Sequence, residues 1–195
     1  LSSNNLMSWS AGNSAFSTSP DWAEGRINSL SVDYARAVTG ATYWMFYTIE
    51  GSNKIGAASG TTAAGPYNDR GVFLTNTDVN STTLKDPFLI VISTSYYLCY
   101  TTDDGTYIQR VTLNRMRGVA KSGAAIKLTE KAFGNVAIVR INSNRFYLVG
   151  TVNKETGTEI RYAMASKITG PYLDKKGIQL TDGSTGELLL ESGKD

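Results

Sequence analysis

One short block of this chain occurs three times. Tyr43-Trp44-Met45-Phe46-Tyr47-Thr48 returns 53 residues later as Tyr96-Tyr97-Leu98-Cys99-Tyr100-Thr101, and 50 residues further on as Phe146-Tyr147-Leu148-Val149-Gly150-Thr151. The first two copies align without a gap for sixteen residues, so Asp33-Tyr34-Ala35-Arg36-Ala37-Val38 lies over Asp86-Pro87-Phe88-Leu89-Ile90-Val91. A second marker, Gly65-Pro66-Tyr67-Asn68-Asp69, returns as Gly170-Pro171-Tyr172-Leu173-Asp174 after 105 residues, or two periods. A period near fifty residues with several short strands per copy is the signature of a β-propeller blade. Such a small sheet cannot bury its apolar face alone and must stack on its neighbours.

The pattern predicts an all-β chain forming a single β-propeller domain over 1–195, with repeats near 28–80, 84–131 and 133–182. A short outer strand, Leu6–Trp9, and a polar loop through Pro20-Asp21-Trp22 precede the first unit. That unit carries strands at Leu30–Val38, Tyr43–Thr48, Lys54–Ser59 and Pro66–Leu74. The second has them at 86–92, 95–101, 106–112 and about 117–128. The third has them at 135–141, 145–151, 159–165 and 171–180. Glu187-Leu188-Leu189-Leu190-Glu191 reads as the first strand of another blade. No 3.6-period apolar run with caps predicts a helix of any length. Three complete blades with one strand at each end leave the ring open, and open sheet edges are a liability. The chain is then part of a longer protein, or its terminal strands share a closing blade, or partner chains or self-association cover the edges. The first of these is favoured.

Composition removes several chemistries. The chain has no histidine, which excludes histidine-based triads, most catalytic zinc sites and the usual neutral-pH proton shuttle. Its one cysteine excludes an internal disulfide, and Cys99 takes the place of Phe46 and Val149 in the other copies, as a core residue would. No apolar run approaches the roughly 20 residues of a membrane span, so no membrane partner is expected. Residues 110–131 carry Arg110, Arg115, Arg117, Lys121, Lys127 and Lys131 against Glu130 alone. Without interleaved aromatics this reads as a solvated blade edge, and no nucleic-acid partner is expected.

In a propeller the first strand of each blade lines the central channel, so residues at the strand starts converge. The alignment places Asp33-Tyr34, Asp86-Pro87 and Asn135-Val136-Ala137 there. Converging carboxylates can perform glycosidic acid–base chemistry, orient a sugar hydroxyl or hold a cation. Equally, each aspartate can cap the turn at its strand start. Trp9, Trp22 and Tyr34 sit at or near loops where a sugar ring could stack, and Trp22 is the best candidate. Trp44, Tyr97 and Tyr147 alternate inside strands and are expected in the core.

The series Ser3-Asn4-Asn5-Leu6-Met7-Ser8-Trp9, Tyr43-Trp44-Met45-Phe46-Tyr47, Ile55-Gly56-Ala57-Ala58-Ser59 with Gly65-Pro66-Tyr67, and Lys85-Asp86-Pro87 resembles the family 43 glycoside hydrolases. These are five-bladed propellers that cut arabinan, xylan and related plant polysaccharides. Arg161-Tyr162-Ala163-Met164-Ala165-Ser166, Gly170-Pro171-Tyr172-Leu173-Asp174 and Leu188-Leu189-Leu190 resemble the arabinanase type in particular. The likeness covers nearly the whole chain. It implies three channel carboxylates. The aspartate base falls upstream of the segment that Leu6–Trp9 matches, so no residue here inherits it. Asp86 matches the aspartate ahead of proline that tunes the acid and orients substrate. The glutamate acid is replaced by Asn135, with Ala137 in place of the family's proline. The tryptophan-alanine-proline of the second blade entrance reads Val32-Asp33-Tyr34. The channel histidine that helps hold a cation would fall beyond Asp195, and calcium in the central channel is the one candidate cofactor.

Three readings follow. One is a carbohydrate-directed propeller that binds an oligo- or polysaccharide through Asp86, Asn135, Trp22 and Tyr34 with little or no hydrolysis. Another is an active glycosidase with Asp33 and Asp86 as its catalytic pair. The last is a structural or interaction module. Secretion or periplasmic export is implied by the resemblance alone.

Overall fold

The computed structural model describes residues 7–8, 12, 14–37, 40–155 and 157–191. Most of the expected strand Leu6–Trp9, and with it Trp9, lies outside them; Met7 and Ser8 form a bend. The described chain is all-β. Thirteen strands run in order: β1 (Ile27–Ala37), β2 (Gly40–Ile49), β3 (Lys54–Gly60), β4 (Asn68–Thr75), β5 (Leu84–Ile92), β6 (Ser95–Thr102), β7 (Thr106–Asn114), β8 (Gly118–Lys121), β9 (Ile126–Lys127), β10 (Gly134–Asn142), β11 (Arg145–Lys154), β12 (Gly157–Ala165) and β13 (Glu187–Glu191). They form three antiparallel sheets, β1–β4, β5–β8 with β9 beside β7, and β10–β13, which do not close into a ring.

Each repeated block becomes the second strand of its sheet, and the pleat explains its composition. Stacked blades bury both faces of this strand, so apolar residues run consecutively rather than in alternation. Met45, Phe46 and Tyr47 are all buried, as are Leu98, Cys99 and Tyr100. One apolar cluster joins the first two blades through Trp44, Phe46, Leu89 and Leu98. Another joins the second to the third through Ile90, Cys99, Val136 and Leu148. Cys99 is a core residue, as expected, and burial pushes its thiol pKa far up. Trp44 is fully buried, whereas Tyr97 and Tyr147 are only half-buried. The far face of the first blade is covered by the segment before β1, where Phe16 and Trp22 pack on Met45, Tyr47 and Ile49.

Two strand expectations are corrected in the third blade. Residues 171–180 form a turn rather than an outer strand: the Asp174 side chain accepts the N–H groups of Lys176 and Ile178, both at 2.9 Å, and curls the backbone. Only Leu173 reaches β12, exchanging two backbone bonds with Met164. The outer strand is instead β13, which pairs with residues 159–162 of β12. Glu187–Glu191 therefore completes the third blade rather than opening another.

Candidate functional site

β5 and β10 begin with the same irregularity. In β5 the register jumps between Lys85, opposite Thr101, and Phe88, opposite Cys99. In β10 it jumps between Gly134, opposite Thr151, and Ala137, opposite Val149. Each jump is a β-bulge that bends the strand and re-aims a side chain. The bulged residues Asp86 and Asn135 have φ of 53° and 48°, left-handed backbone in which Asp and Asn are the commonest non-glycine residues. Backbone conformation thus accounts for a short polar side chain at both places.

The two bulges also touch. The Asn135 N–H donates to Asp86 Oδ2 across the blade boundary at 3.1 Å. One more bond and one glycine set this contact. Thr101 Oγ1 donates to the Phe133 carbonyl at 2.7 Å, tying the end of β6 to the approach of β10. Gly134 leaves room for the approach: a Cβ there would lie 2.7 Å from Thr151 Oγ1 and 4.0 Å from Asp86 Oδ2. Asp86 is half-buried and Asn135 exposed. Among the described residues neither Asp86 Oδ1 nor the Asn135 carboxamide has a protein partner. The entrance therefore offers one carboxylate oxygen and one amide side by side, an acceptor next to a group that both donates and accepts.

The structure does not bring Asp33 to this place. β1 pairs regularly through Asp33, opposite Trp44, and its irregularity lies at Asn28, between Ile27 and Ser29. The Asp33 carboxylate accepts the N–H of Tyr34 at 2.7 Å. β1 and β5 lie side by side, with the Leu89 N–H donating to Ser31 Oγ at 3.0 Å and the Tyr96 hydroxyl donating to the Arg36 carbonyl at 3.0 Å. Asp33 lies two residues beyond Ser31 and Asp86 three before Leu89, so about 16 Å of strand separates their levels. The counterpart of the two bulges in the first blade is Asn28-Ser29, where Ser29 Oγ and Thr48 Oγ1 are 2.7 Å apart. Thr48, Thr101 and Thr151 close the three blocks and pair with Ser29, Lys85 and Gly134 at the strand starts, but these lie 19, 16 and 17 residues back, so no single count along the sequence finds them.

Trp22 also stands elsewhere. Its ring stacks on Tyr47 with centroids 5.4 Å apart, and its Nε1 donates to Asp69 Oδ2 at 3.1 Å. Tyr47 donates to the other oxygen of Asp69 at 2.7 Å, and burial, followed by that bond and the charge of Asp69, pushes its pKa far up. Trp22 thus covers the first blade and is not part of the entrance. Tyr34 is exposed and tilts against Tyr43, 5.1 Å away, beside Asp33 and away from the bulges.

For a channel cation the fit is poor. Among the described residues no three His, Cys, Asp or Glu side chains come together, and Asp86 is the one carboxylate at the two bulges. The donor set suits hydroxyls better than a metal ion.

No protein-family profile matches the chain. An extracellular endo-α-(1→5)-L-arabinanase of Bacillus subtilis strain 168 is 24% identical over 215 residues, covering 100% of this chain and 65% of the relative. The chain thus spans about two-thirds of that relative's length. An exo-1,5-α-L-arabinanase from a bovine ruminal metagenomic library superposes with a TM-score of 0.73 at 18% identity, covering 97% of this chain and 70% of the other. A family 43 endo-arabinanase of Bacillus licheniformis does so with a TM-score of 0.65 at 24% identity, covering 84% and 60%. In sequence and in fold, the chain resembles part of a family 43 arabinanase propeller.

Proposed function

We propose that this chain is a carbohydrate-directed propeller that binds plant-polysaccharide chains at the Asp86–Asn135 entrance and, as it stands, hydrolyses them little or not at all. The observation behind this reading is the side-by-side carboxylate and carboxamide at two equivalent bulges. Asp86 accepts a sugar hydroxyl on its open oxygen while its other oxygen holds the Asn135 N–H. The Asn135 side chain supplies a second donor and acceptor. An amide cannot give a proton to a departing sugar oxygen, and lacking that general acid costs about 10²–10⁴ in rate. The arabinanase relatives favour arabinan as the ligand class, and the extracellular relative favours an exported protein.

A glycosidase using Asp33 with Asp86 would need their carboxyls about 5–9.5 Å apart. Their separation in level argues against it. The interaction-module reading draws on the exposed Leu188, Leu189 and Leu190 of β13, and light scattering that gives a monomer at high concentration would remove it.

The test uses the 195-residue chain with arabinan, xylan and arabinoxylan. Affinity electrophoresis should show retardation that Asp86→Ala removes, with no reducing-sugar release. Release that disappears in Asp86→Ala would show instead that the chain is an enzyme. Neither retardation nor release from any of the three would overturn the glycan reading.

A further inference from the structure

An open cavity lies at the opposite rim of the sheets. It has a volume of about 510 Å³ and opens between the second and third blades, at the β5–β6 and β10–β11 hairpin turns and the turn after β12. From Asn135 at the start of β10 to Ser143 at its far end is eight residues, about 26 Å of strand. The cavity is thus separate from the entrance. Its volume falls within the roughly 300–1,000 Å³ of small-molecule sites.

The lining has a consistent chemistry. Ile92, Phe146, Ile168 and the half-buried ring of Tyr97 supply its apolar surface. Around it stand the hydroxyls of Ser95, Ser143 and Ser166, the carboxamide of Asn144 and the ammonium of Lys167. All of these but Ser95 are exposed, and Ser95 is half-buried. Lys167 forms no ion pair among the described residues. The charge carried by the lining segments is one-sided. The stretches 87–102, 131–154 and 160–173, which hold every residue of the lining, contain no Asp or Glu, while Arg140 and Arg145 stand on the same β10–β11 hairpin. A concave site of one sign concentrates ligands of the other.

We propose that this cavity binds a carboxylated sugar, a uronate unit of an acidic oligosaccharide. Its carboxylate pairs with the Lys167 ammonium, its hydroxyls exchange hydrogen bonds with the serines and Asn144, and its ring packs on Tyr97. A neutral sugar leaves Lys167 unpaired, and a bare inorganic anion leaves the ring and the hydroxyl set unused. The entrance, built on a carboxylate, repels the same ligand. The two sites thus sort acidic from neutral glycan segments onto opposite rims.

The test is amide chemical-shift mapping on the isotope-labelled 195-residue chain, titrated with digalacturonate, with galactobiose as the neutral counterpart, and with sulfate. Digalacturonate should give saturable shifts at Ser143, Asn144, Ser166 and Lys167, weaker at higher salt. Lys167→Gln, at an exposed position, should reduce that affinity about tenfold without changing the rest of the spectrum. No shift with digalacturonate overturns the proposal. So do equal affinity for galactobiose or sulfate, and an affinity that Lys167→Gln leaves intact. The entrance is scored in the same spectra by the Asn135 amide with a neutral arabino-oligosaccharide, so either site can fail without the other.

Discussion

The first blade and the two that follow share a sequence block but not a strand start. In the second and third blades the inner strand opens with a bulged residue in left-handed backbone, and the two bulges meet through the Asp86–Asn135 bond. In the first blade the inner strand runs regularly past Asp33, and its hairpin turns between Ala37 and Gly40, two residue pairs further from the threonine level than the turn between Ile92 and Ser95. The polar investment of the first blade is made on its outer face, where Trp22, Tyr47 and Asp69 form one connected group. The frame of the fold is thus repeated, while the chemistry is placed blade by blade.

The largest expected effect lies on that outer face. A Cβ at Gly56 would lie 2.2 Å from Trp22 and 2.8 Å from Tyr47, and both rings are held by Asp69. Gly56→Ala should cost about 1–3 kcal/mol, read by urea unfolding and by a red shift of tryptophan emission. Entrance binding of a neutral arabino-oligosaccharide should survive it at temperatures where the variant is folded.

The two aspartates give the next largest effect. Asp86→Ala should weaken arabino-oligosaccharide binding at least about tenfold by calorimetry, and Asp33→Ala by less than about twofold. Equal losses would restore the equivalence that the register denies.

Backbone strain gives a smaller one. Asn135→Ala should cost about 1 kcal/mol, because alanine tolerates left-handed backbone poorly, while Asn135→Gly should be nearly neutral. Asp33→Ala, in regular strand, should change stability by less than about 0.5 kcal/mol. Thermal unfolding of the three variants reads the difference directly.

The smallest effect concerns the loop that leads into β5. The exposed Asp103 carboxylate accepts the Ser81 hydroxyl and both the N–H and the hydroxyl of Thr82, at 3.1 and 2.6 Å, and these bonds, that of Ser81 foremost, lower its pKa to about 2. A carboxyl with a depressed folded pKa contributes stability that is present above its unfolded value near 4 and is lost as pH falls through about 2. NMR titration should find Asp103 half-protonated near pH 2, and Asp103→Asn should flatten the stability profile between pH 4 and 2. An Asp103 that titrates near 4 would show that the loop is not clamped.

The fold was largely legible because a strand buried on both faces leaves a dense apolar block, and three such blocks at even spacing admit few architectures. Asp86 and Asn135 were legible because they stand at nearly the same distance, ten and eleven residues, before their blocks. Asp33 was misplaced for the same reason: an ungapped alignment carries no record of hairpin length, and the first hairpin is longer. Trp22 looked like a loop aromatic because its partners, Tyr47 and Asp69, lie 25 and 47 residues away in the chain. Glu187–Glu191 was assigned to a new blade because nothing local distinguishes a strand that returns to the previous sheet from one that starts the next.

That return has a consequence for how the chain is assembled. With β13 in the sheet of β10–β12, the three sheets are drawn from three successive, non-overlapping stretches, 27–75, 84–127 and 134–191. Pairing among these thirteen strands then does not wait for a distant part of the polypeptide, so each sheet can form as its segment leaves the ribosome, while the docking of one finished sheet on the last is long-range. A cut or a permuted terminus in the connections at 76–83 or 128–133 leaves every ladder of backbone hydrogen bonds whole.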